Sequence, residues 1–276
     1  MLEHPTLDKL ARLKLTGMLQ ALLEQRQLEE YSELSFEERL GLLVDRETLN
    51  RQNRQVASRM RKAGLRQEAA VEDIDFRHPR GLDRSVVLSL ASCQWIRNHR
   101  NCLITGPTGV GKTYLGCALA QKACREGFTA CYARVGRLLG EFGAARLDGS
   151  YLERLCALAK VDLLVLDDWG VTPLTDDNRR DLLEILDDRY DRKSTLVTSQ
   201  IPVDGWHAYL ADPTLADAIL DRLVHNAQRL ILTGESMRRM KAAMAQPNTG
   251  PNAQDHSEPG NRNLTLPGGT DHAPAA

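Results

Sequence analysis

The sequence predicts an α/β nucleotide-binding fold, in which helices flank a central parallel sheet and a small all-helical domain precedes it. A glycine-rich loop lies between a short apolar run and a segment of helical periodicity. Further apolar runs of strand length alternate with helical patterns downstream. This alternation is typical of parallel sheets, because crossover helices join their strands. The 276 residues suffice for one such domain, a smaller helical domain and a tail.

The N-terminal segment, from Thr6 to about Met60, has leucines at the spacing of amphipathic helices. Ser35 followed by Glu37 and Glu38 resembles a helix start with carboxylates in the first turn. The end of this segment is basic, and its cationic residues are Arg46, Arg51, Arg54, Arg59, Arg61, Lys62 and Arg66. Two interpretations remain open: a contact for nucleic acid or a partner, or a solvated helix face whose arginine stems lie on apolar neighbours.

Turn-forming residues break the helical periodicity between Glu72 and Arg84, which indicates a linker. We therefore expect an N-terminal helical domain over residues 1–72 and the α/β domain over residues 73–244. After Met244 the chain has hardly any large apolar residues. Such a segment cannot bury enough surface to offset its chain entropy, so we expect residues 245–276 to be a disordered tail.

Within the second domain the sequence predicts helices over 86–96, 114–125, 135–145, 151–160, 178–190 and 212–225. It predicts strands over 102–105, 128–133, 161–166, 194–198 and 229–233. The run 161–166 is apolar almost throughout, as expected of a strand that is covered on both faces of a parallel sheet.

The glycine-rich loop consists of Gly106, Pro107, Thr108, Gly109, Val110, Gly111, Lys112 and Thr113. It has the pattern and the strand–loop–helix context of a P-loop. Its glycines allow backbone N–H groups to turn towards phosphate oxygens, Lys112 can reach the β- and γ-phosphates, and the Thr113 hydroxyl can ligate Mg²⁺. With the following Tyr114, these are the candidate ATP-binding residues. The alternative is a glycine-rich turn that binds nothing.

Two adjacent carboxylates, Asp167 and Asp168, follow the apolar run at 163–166. Asp167 is expected beside the P-loop, where it can hold Mg²⁺, and Asp168 can polarise the attacking water. Two acids at one strand tip repel each other, and a bound cation offsets that repulsion. A capped turn after a core strand is the alternative.

Further polar residues are weaker candidates for contact with the phosphates. Gln200 or Ser199, after the strand at 194–198, could face the γ-phosphate, although a turn before Pro202 explains the same residues. Arg222 and Arg238 are candidate phosphate-stabilising arginines, acting in cis or from a neighbouring subunit. Spacing alone does not separate this role from a surface ion pair.

Composition and charge restrict how the protein can bind nucleic acid, membrane or metal. The formal net charge of -1 and the sequence pI of about 6.7 give no global basic field, so nucleic-acid binding requires a local patch or an assembly. No apolar run reaches membrane-spanning length and the N-terminus does not resemble a leader, so we expect a cytoplasmic protein without membrane contact. The six cysteines occur singly, which favours reduced core residues over a zinc site.

Taken together, these motifs resemble those of the IstB family, with Thr198-Ser199-Gln200-Ile201-Pro202, Asp221-Arg222-Leu223 and Gly234-Glu235-Ser236-Met237-Arg238 adding to the P-loop and the paired carboxylates. The similarity extends over roughly Leu2 to Met244. It implies an AAA+ ATPase that assists an insertion-sequence transposase and is related to the helicase loader DnaC. The implied roles are Walker A for Lys112 and Thr113, Walker B for Asp167, water activation for Asp168, sensor 1 for Gln200, arginine finger for Arg222 and sensor 2 for Arg238.

The resemblance further implies ATP and Mg²⁺ as cofactors, and a homo-oligomer with ATP between neighbouring subunits. Duplex DNA and an IstA-like transposase are the implied partners. Asp168 stands where many AAA+ ATPases have glutamate, and Gln200 where many have asparagine, which leaves the hydrolysis rate open. The alternatives are a DnaC-like helicase loader, which would prefer single-stranded DNA, and a small-molecule P-loop kinase, which would ignore DNA.

Overall fold

A computed structural model of the chain describes residues 5–237 and residue 239. The predicted tail over 245–276 and the candidate Arg238 lie outside the described residues. None of the helices in the described part is long and apolar enough to cross a membrane.

The N-terminal part is helical, as predicted. It contains α1 (Pro5–Arg12), α2 (Thr16–Gln27), a 3-10 turn (Glu29–Glu33) and the long α3 (Phe36–Ala63). Ser35 caps α3, because its hydroxyl accepts a hydrogen bond from the Glu38 amide while the Glu38 carboxylate accepts one from the Ser35 amide. The helix start predicted at Ser35 is therefore confirmed.

The carboxylate of Glu47, a buried residue of α3, joins α2 to α3. Its Oε2 accepts hydrogen bonds from the amides of Gly17 at 2.7 Å and Met18 at 3.3 Å, in the first turn of α2. The residue before α2, Leu15, supplies no side-chain cap. Glu47 thus satisfies amides that would otherwise lack a partner at the start of α2. A Cβ on Gly17 would lie 2.7 Å from the Arg46 oxygen, so glycine permits this close approach.

The second part alternates strands and helices. Its helices are α4 (Arg84–Ala91), α5 (Gln94–Arg97), α6 (Lys112–Arg125), α7 (Val135–Asp148), α8 (Tyr151–Lys160), α9 (Asp176–Arg189), α10 (Trp206–Leu210) and α11 (Pro213–Val224). Its strands are β1 (Asn101–Thr105), β2 (Ala130–Arg134), β3 (Leu163–Trp169), β4 (Ser194–Ser199) and β5 (Ala227–Ile231). The strands form one parallel sheet in the order β2-β3-β4-β1-β5.

Buried apolar clusters cover both faces of the sheet. One includes Leu119 of α6 and Ile104 of β1, and the other includes Leu182 of α9 and Leu103 of β1. The predicted α/β class with a central parallel sheet is therefore confirmed. Because all strands run in one direction, their carboxyl ends meet at one edge, where ligands bind in folds of this type.

The structure differs from the sequence-based elements in three places. The helix expected over 86–96 is broken, because Cys93 adopts a left-handed φ of 57° between α4 and α5. Strand β3 continues through both carboxylates to Trp169 instead of ending at Leu166. Helix α10, with Trp206 fully buried, was not expected, since one turn of helix is too short to show periodicity.

The end of α3 packs against the sheet domain. Ala63, Ala69 and Val71 belong to the same buried cluster as Leu119 and Ile104. Arg59 of α3 also donates a hydrogen bond to the backbone oxygen of Cys124 in α6 at 3.2 Å. Residues before the predicted boundary at 72 therefore share the core of the sheet domain, and the boundary itself stays a prediction.

Glu47→Gln should destabilise the packing of α2 against α3 at neutral pH. The hydrogen bond from Arg51, together with those from the Gly17 and Met18 amides, lowers the pKa of Glu47 below its ordinary 4.5. A lowered folded-state pKa stabilises the fold above the unfolded-state pKa, and that contribution is lost as pH falls through the folded value. The difference between variant and wild type should therefore shrink below about pH 4.5. Amide hydrogen exchange in α2 and circular dichroism from pH 7 to 3 measure both effects.

The control for this experiment is Glu68→Gln, at an exposed position beyond α3. Equal exchange rates in the two variants at neutral pH would contradict a structural role for Glu47.

Candidate nucleotide-binding site

The P-loop connects β1 to α6 at the carboxyl edge of the sheet. Gly106, Gly109 and Gly111 have φ angles of 150°, 85° and 99°, which glycine adopts without strain. Neighbouring atoms also leave no room for a side chain at two of these positions. A Cβ on Gly106 would lie 2.3 Å from the Leu232 oxygen, and one on Gly109 would lie 2.1 Å from Ser236 Oγ. The glycines therefore allow the loop to pass close to the segment after β5.

Lys112 lies at the start of α6 and is buried. Its Nζ donates hydrogen bonds to the backbone oxygens of Gly106 at 2.8 Å and Pro107 at 2.7 Å. The ammonium group thus lies inside the loop, next to the backbone that would surround a phosphate. The positive end of the α6 dipole adds to the positive charge of the ammonium group, so the loop favours an anion.

The carboxylate of Asp167 is fully buried and is the meeting point of three elements. Thr113 Oγ1 of α6 donates to it at 3.0 Å, and the Tyr132 hydroxyl of β2 donates to Oδ2 at 2.5 Å. Thr198 Oγ1 of β4 donates to Oδ1. Burial, followed by the hydrogen bond to Asp167, raises the pKa of Tyr132 above its ordinary value, so the phenol remains a donor.

The Thr113 hydroxyl and the Asp167 carboxylate fit Mg²⁺, which prefers oxygen ligands. Magnesium in nucleotide sites is usually held by one or two protein groups together with phosphate oxygens and water. In agreement, the described part of the chain has no cluster of three or more His, Cys, Asp or Glu residues that could hold a metal alone. This site would hold the ion only together with a nucleotide.

Asp168 differs from its neighbour in conformation and exposure. Its φ of 61° is left-handed, a region that aspartate tolerates better than most residues. Its side chain is 37% exposed, whereas that of Asp167 is fully buried. Asp168 therefore faces the cavity beside the P-loop, where a carboxylate can reach water.

A cavity of about 510 Å³ lies beside the P-loop, large enough for a nucleotide. The candidate residues that line it are Thr108, Gly109, Gly111, Lys112, Thr113, Tyr114, Asp168 and Gln200. Gly106 and Pro107 line a neighbouring cavity, and Val110 is buried beneath the loop. The structure thus brings most of the candidates to one place.

Two arginines that were not expected here also line this cavity. Arg66, after α3, lies near both carboxylates, and Arg80, in the expected linker, is buried with only 5% exposure. The Arg80 guanidinium donates to the Val110 and Asp75 backbone oxygens at 3.0 Å each, and burial lowers its pKa. No sequence motif marks either residue, since Arg66 meets both carboxylates, and Arg80 meets Val110, only through the tertiary fold.

Arg222 lies away from the P-loop of its own chain. It is near the end of α11, and its backbone oxygen accepts a hydrogen bond from Asn101 at the start of β1. The P-loop follows the other end of β1, about 13 Å away for a five-residue strand. The Arg222 guanidinium pairs instead with Asp187 at 2.6 Å.

Comparison with known proteins places the chain in the family that its motifs resemble. Residues 8–245 match the family described as "IstB-like ATP binding protein". The chain is 52% identical over 239 residues to the "Putative insertion sequence ATP-binding protein y4pL" of Sinorhizobium fredii, which covers 87% of this chain and 98% of the relative. It is 32% identical over 252 residues to the "Insertion sequence IS21 putative ATP-binding protein" of Pseudomonas aeruginosa, which covers 89% and 94%.

Solved structures show a shared fold at low identity. The crystal structure of DnaI superposes with a TM-score of 0.53 at 23% identity, over 60% of this chain and 92% of DnaI. The replication initiator DnaA, bound to AMPPCP and single-stranded DNA, gives 0.50 at 16% identity, over 65% and 56%. The sheet domain thus has the AAA+ fold that the sequence predicts.

Tyr132→Phe should raise the Mg²⁺ concentration required for nucleotide binding by about tenfold, because the hydroxyl orients the carboxylate that is the candidate Mg²⁺ ligand. Titration of MgCl₂ at fixed ATP, with binding followed by calorimetry, measures this change. Tyr190→Phe, at an exposed position after α9, is the matched control. An unchanged Mg²⁺ requirement in Tyr132→Phe would show that the hydroxyl does not support the site.

Proposed function

We propose that this chain, which belongs to the family of IstB-like ATP binding proteins, uses ATP hydrolysis to control its assembly on duplex DNA and so assists the transposase of an insertion sequence. The observation that carries the proposal is the contact of Thr113 Oγ1 with the buried Asp167 carboxylate, 3.0 Å apart beside the P-loop. This pair can hold a nucleotide-bound Mg²⁺, which a purely structural turn would not need.

The roles of the site residues follow from their positions. Lys112 exchanges its backbone oxygen partners for phosphate oxygens. Thr113 and Asp167 would hold Mg²⁺, which would supply positive charge beside the phosphates. Asp168, exposed to the cavity, orients the attacking water or accepts a proton from it. Gln200, exposed after β4, lies at the same cavity and can contact that water or the γ-phosphate.

The position of Arg222 makes assembly part of the activity. At the far end of β1 its guanidinium cannot reach the phosphates of its own subunit without a large rearrangement. In a homo-oligomer it can reach those of a neighbour and stabilise charge on the transferring phosphoryl group. The ATPase site is then complete only between subunits, so ATP favours assembly.

Duplex DNA fits the basic surface of α3. Arg51, Arg54 and Arg61 line a shallow groove of about 440 Å³ on this helix, and all three are exposed. A single copy of this patch is modest, and the whole chain has a net charge of -1. Repetition of the patch along an assembly neutralises many phosphates and gives avidity without strong sequence preference. We place this activity in the cytoplasm.

The proposal can be tested by phosphate release from ATP with duplex DNA, with single-stranded DNA and without DNA. Stimulation by duplex DNA, and an increase in strand transfer by an IstA-like transposase, are the expected results. Preference for single-stranded DNA would favour a helicase loader instead. Phosphate transfer to a small acceptor, indifferent to DNA, would contradict the proposal in favour of a kinase.

Arg222→Ala should reduce hydrolysis by roughly 10³-fold while nucleotide binding persists, because the guanidinium acts on a neighbouring site. Lys112→Ala should be inactive for a different reason, the loss of phosphate binding. A mixture of the two variants should recover part of the activity, since some interfaces combine an intact P-loop with an intact Arg222. Arg192→Ala, at an exposed position, is the control.

No recovery in the mixture, although sedimentation finds both variants in one assembly, would contradict a role for Arg222 across the interface.

A further inference from the structure

Arg66 lies between the two carboxylates of the nucleotide site. Its Nη1 is 3.6 Å from Asp167 Oδ2 and 3.6 Å from Asp168 Oδ2. The guanidinium also shares a hydrogen bond with the Tyr132 hydroxyl, which raises the pKa of Arg66 above its ordinary value. The Arg66 guanidinium is thus close to both carboxylates and to the phenol that donates a hydrogen bond to Asp167.

The backbone around Arg66 is held on both sides. Ala63, at the end of α3, and Ala69, after Arg66, are both buried in the core of the sheet domain. Between them Gly64 ends α3 in a left-handed conformation with φ of 59°. The backbone at Arg66 is therefore held near the carboxyl edge of the sheet, whereas the Arg66 side chain is 41% exposed.

The position of the guanidinium is incompatible with a metal ion on the same oxygens. Mg²⁺ held by Thr113 and Asp167 would place two positive charges within a few ångströms of the guanidinium, where like charges repel strongly and are poorly screened. Asp167 Oδ2 already accepts the Tyr132 hydroxyl as well. The arginine and the ion thus compete for one carboxylate.

A neighbouring cavity can receive the displaced side chain. This second cavity, of about 610 Å³, has Tyr132 in its wall, and Arg66 lines both cavities. Its wall carries Glu141 of α7, whose carboxylate already pairs with Arg137 at 3.0 Å and with Arg154 at 3.4 Å. This cavity therefore offers space rather than a free counter-ion, and rotation of the Arg66 side chain, without movement of the backbone, would carry the guanidinium away from the two aspartates.

We propose that Arg66 is an internal counter-ion of Asp167 and Asp168, which nucleotide-bound Mg²⁺ must displace. This inference rests on the proposed function of the site. Arg66 compensates one of the two negative charges when no metal is bound and raises the Mg²⁺ concentration at which ATP binds productively.

The test is a titration of MgCl₂, from excess EDTA to millimolar Mg²⁺, with binding of a non-hydrolysable ATP analogue measured by calorimetry. Arg66→Ala should lower the half-saturating Mg²⁺ concentration by roughly three- to tenfold, the size expected when a partly exposed ion pair is lost. In EDTA the same variant should bind the analogue more weakly than wild type, because two uncompensated carboxylates then repel the phosphates.

Two further variants complete the experiment. Arg192→Ala, an equal change of charge at an exposed position after α9, should behave as wild type. Arg66→Gln, which keeps most of the side-chain stem without the charge, should reproduce Arg66→Ala and guards against a folding defect in that variant. Circular dichroism checks that all the variants are folded.

The outcomes separate the inference from the function on which it rests. An equal loss of affinity in Arg66→Ala at every Mg²⁺ concentration would identify Arg66 as a phosphate ligand and overturn the inference. A Mg²⁺ requirement in Arg66→Ala equal to that of Arg192→Ala would also overturn it. Failure of wild type to bind the analogue at saturating Mg²⁺ would instead contradict the proposed function itself.

Discussion

The structure depends on one buried carboxylate. Asp167 has no exposure to water, and an ionised acid in that position is very costly unless several donors satisfy it. Thr113, Tyr132 and Thr198 supply those donors from α6, β2 and β4. Satisfying this single side chain therefore fixes the P-loop helix relative to three neighbouring strands, and gives the site the negative charge that a cation requires.

The order of the strands explains how distant segments meet at this carboxylate. Strands β1, β3 and β4 are neighbours in a parallel sheet, so the P-loop, the paired carboxylates and Gln200 follow strand ends at the same edge. The end of α3 packs beside β2 at this edge, which brings Arg66 to the carboxylates. The site thus combines groups from both parts of the chain, and the helical unit is in direct contact with it.

Much of the site could be predicted from the sequence, because the P-loop and the acids after an apolar run are local patterns with few alternative explanations. The helix start at Ser35 was predictable for the same reason. Tyr132 and Thr198 were not, since they are ordinary strand residues until the sheet order places them beside Asp167. Arg66 was assigned to a basic run because its partners lie about a hundred residues away in sequence. Arg238 lies outside the described residues, and its role stays a prediction.

The measurement that tests the account most directly is the mass of the assembly on a duplex DNA fragment, determined by sedimentation with ATP, with ADP and without nucleotide. The account predicts a large complex with ATP, little assembly in the other two conditions, and no complex for Lys112→Ala at any nucleotide concentration. A protein that stays monomeric on duplex DNA in all three conditions would contradict the claim that ATP at this site controls assembly.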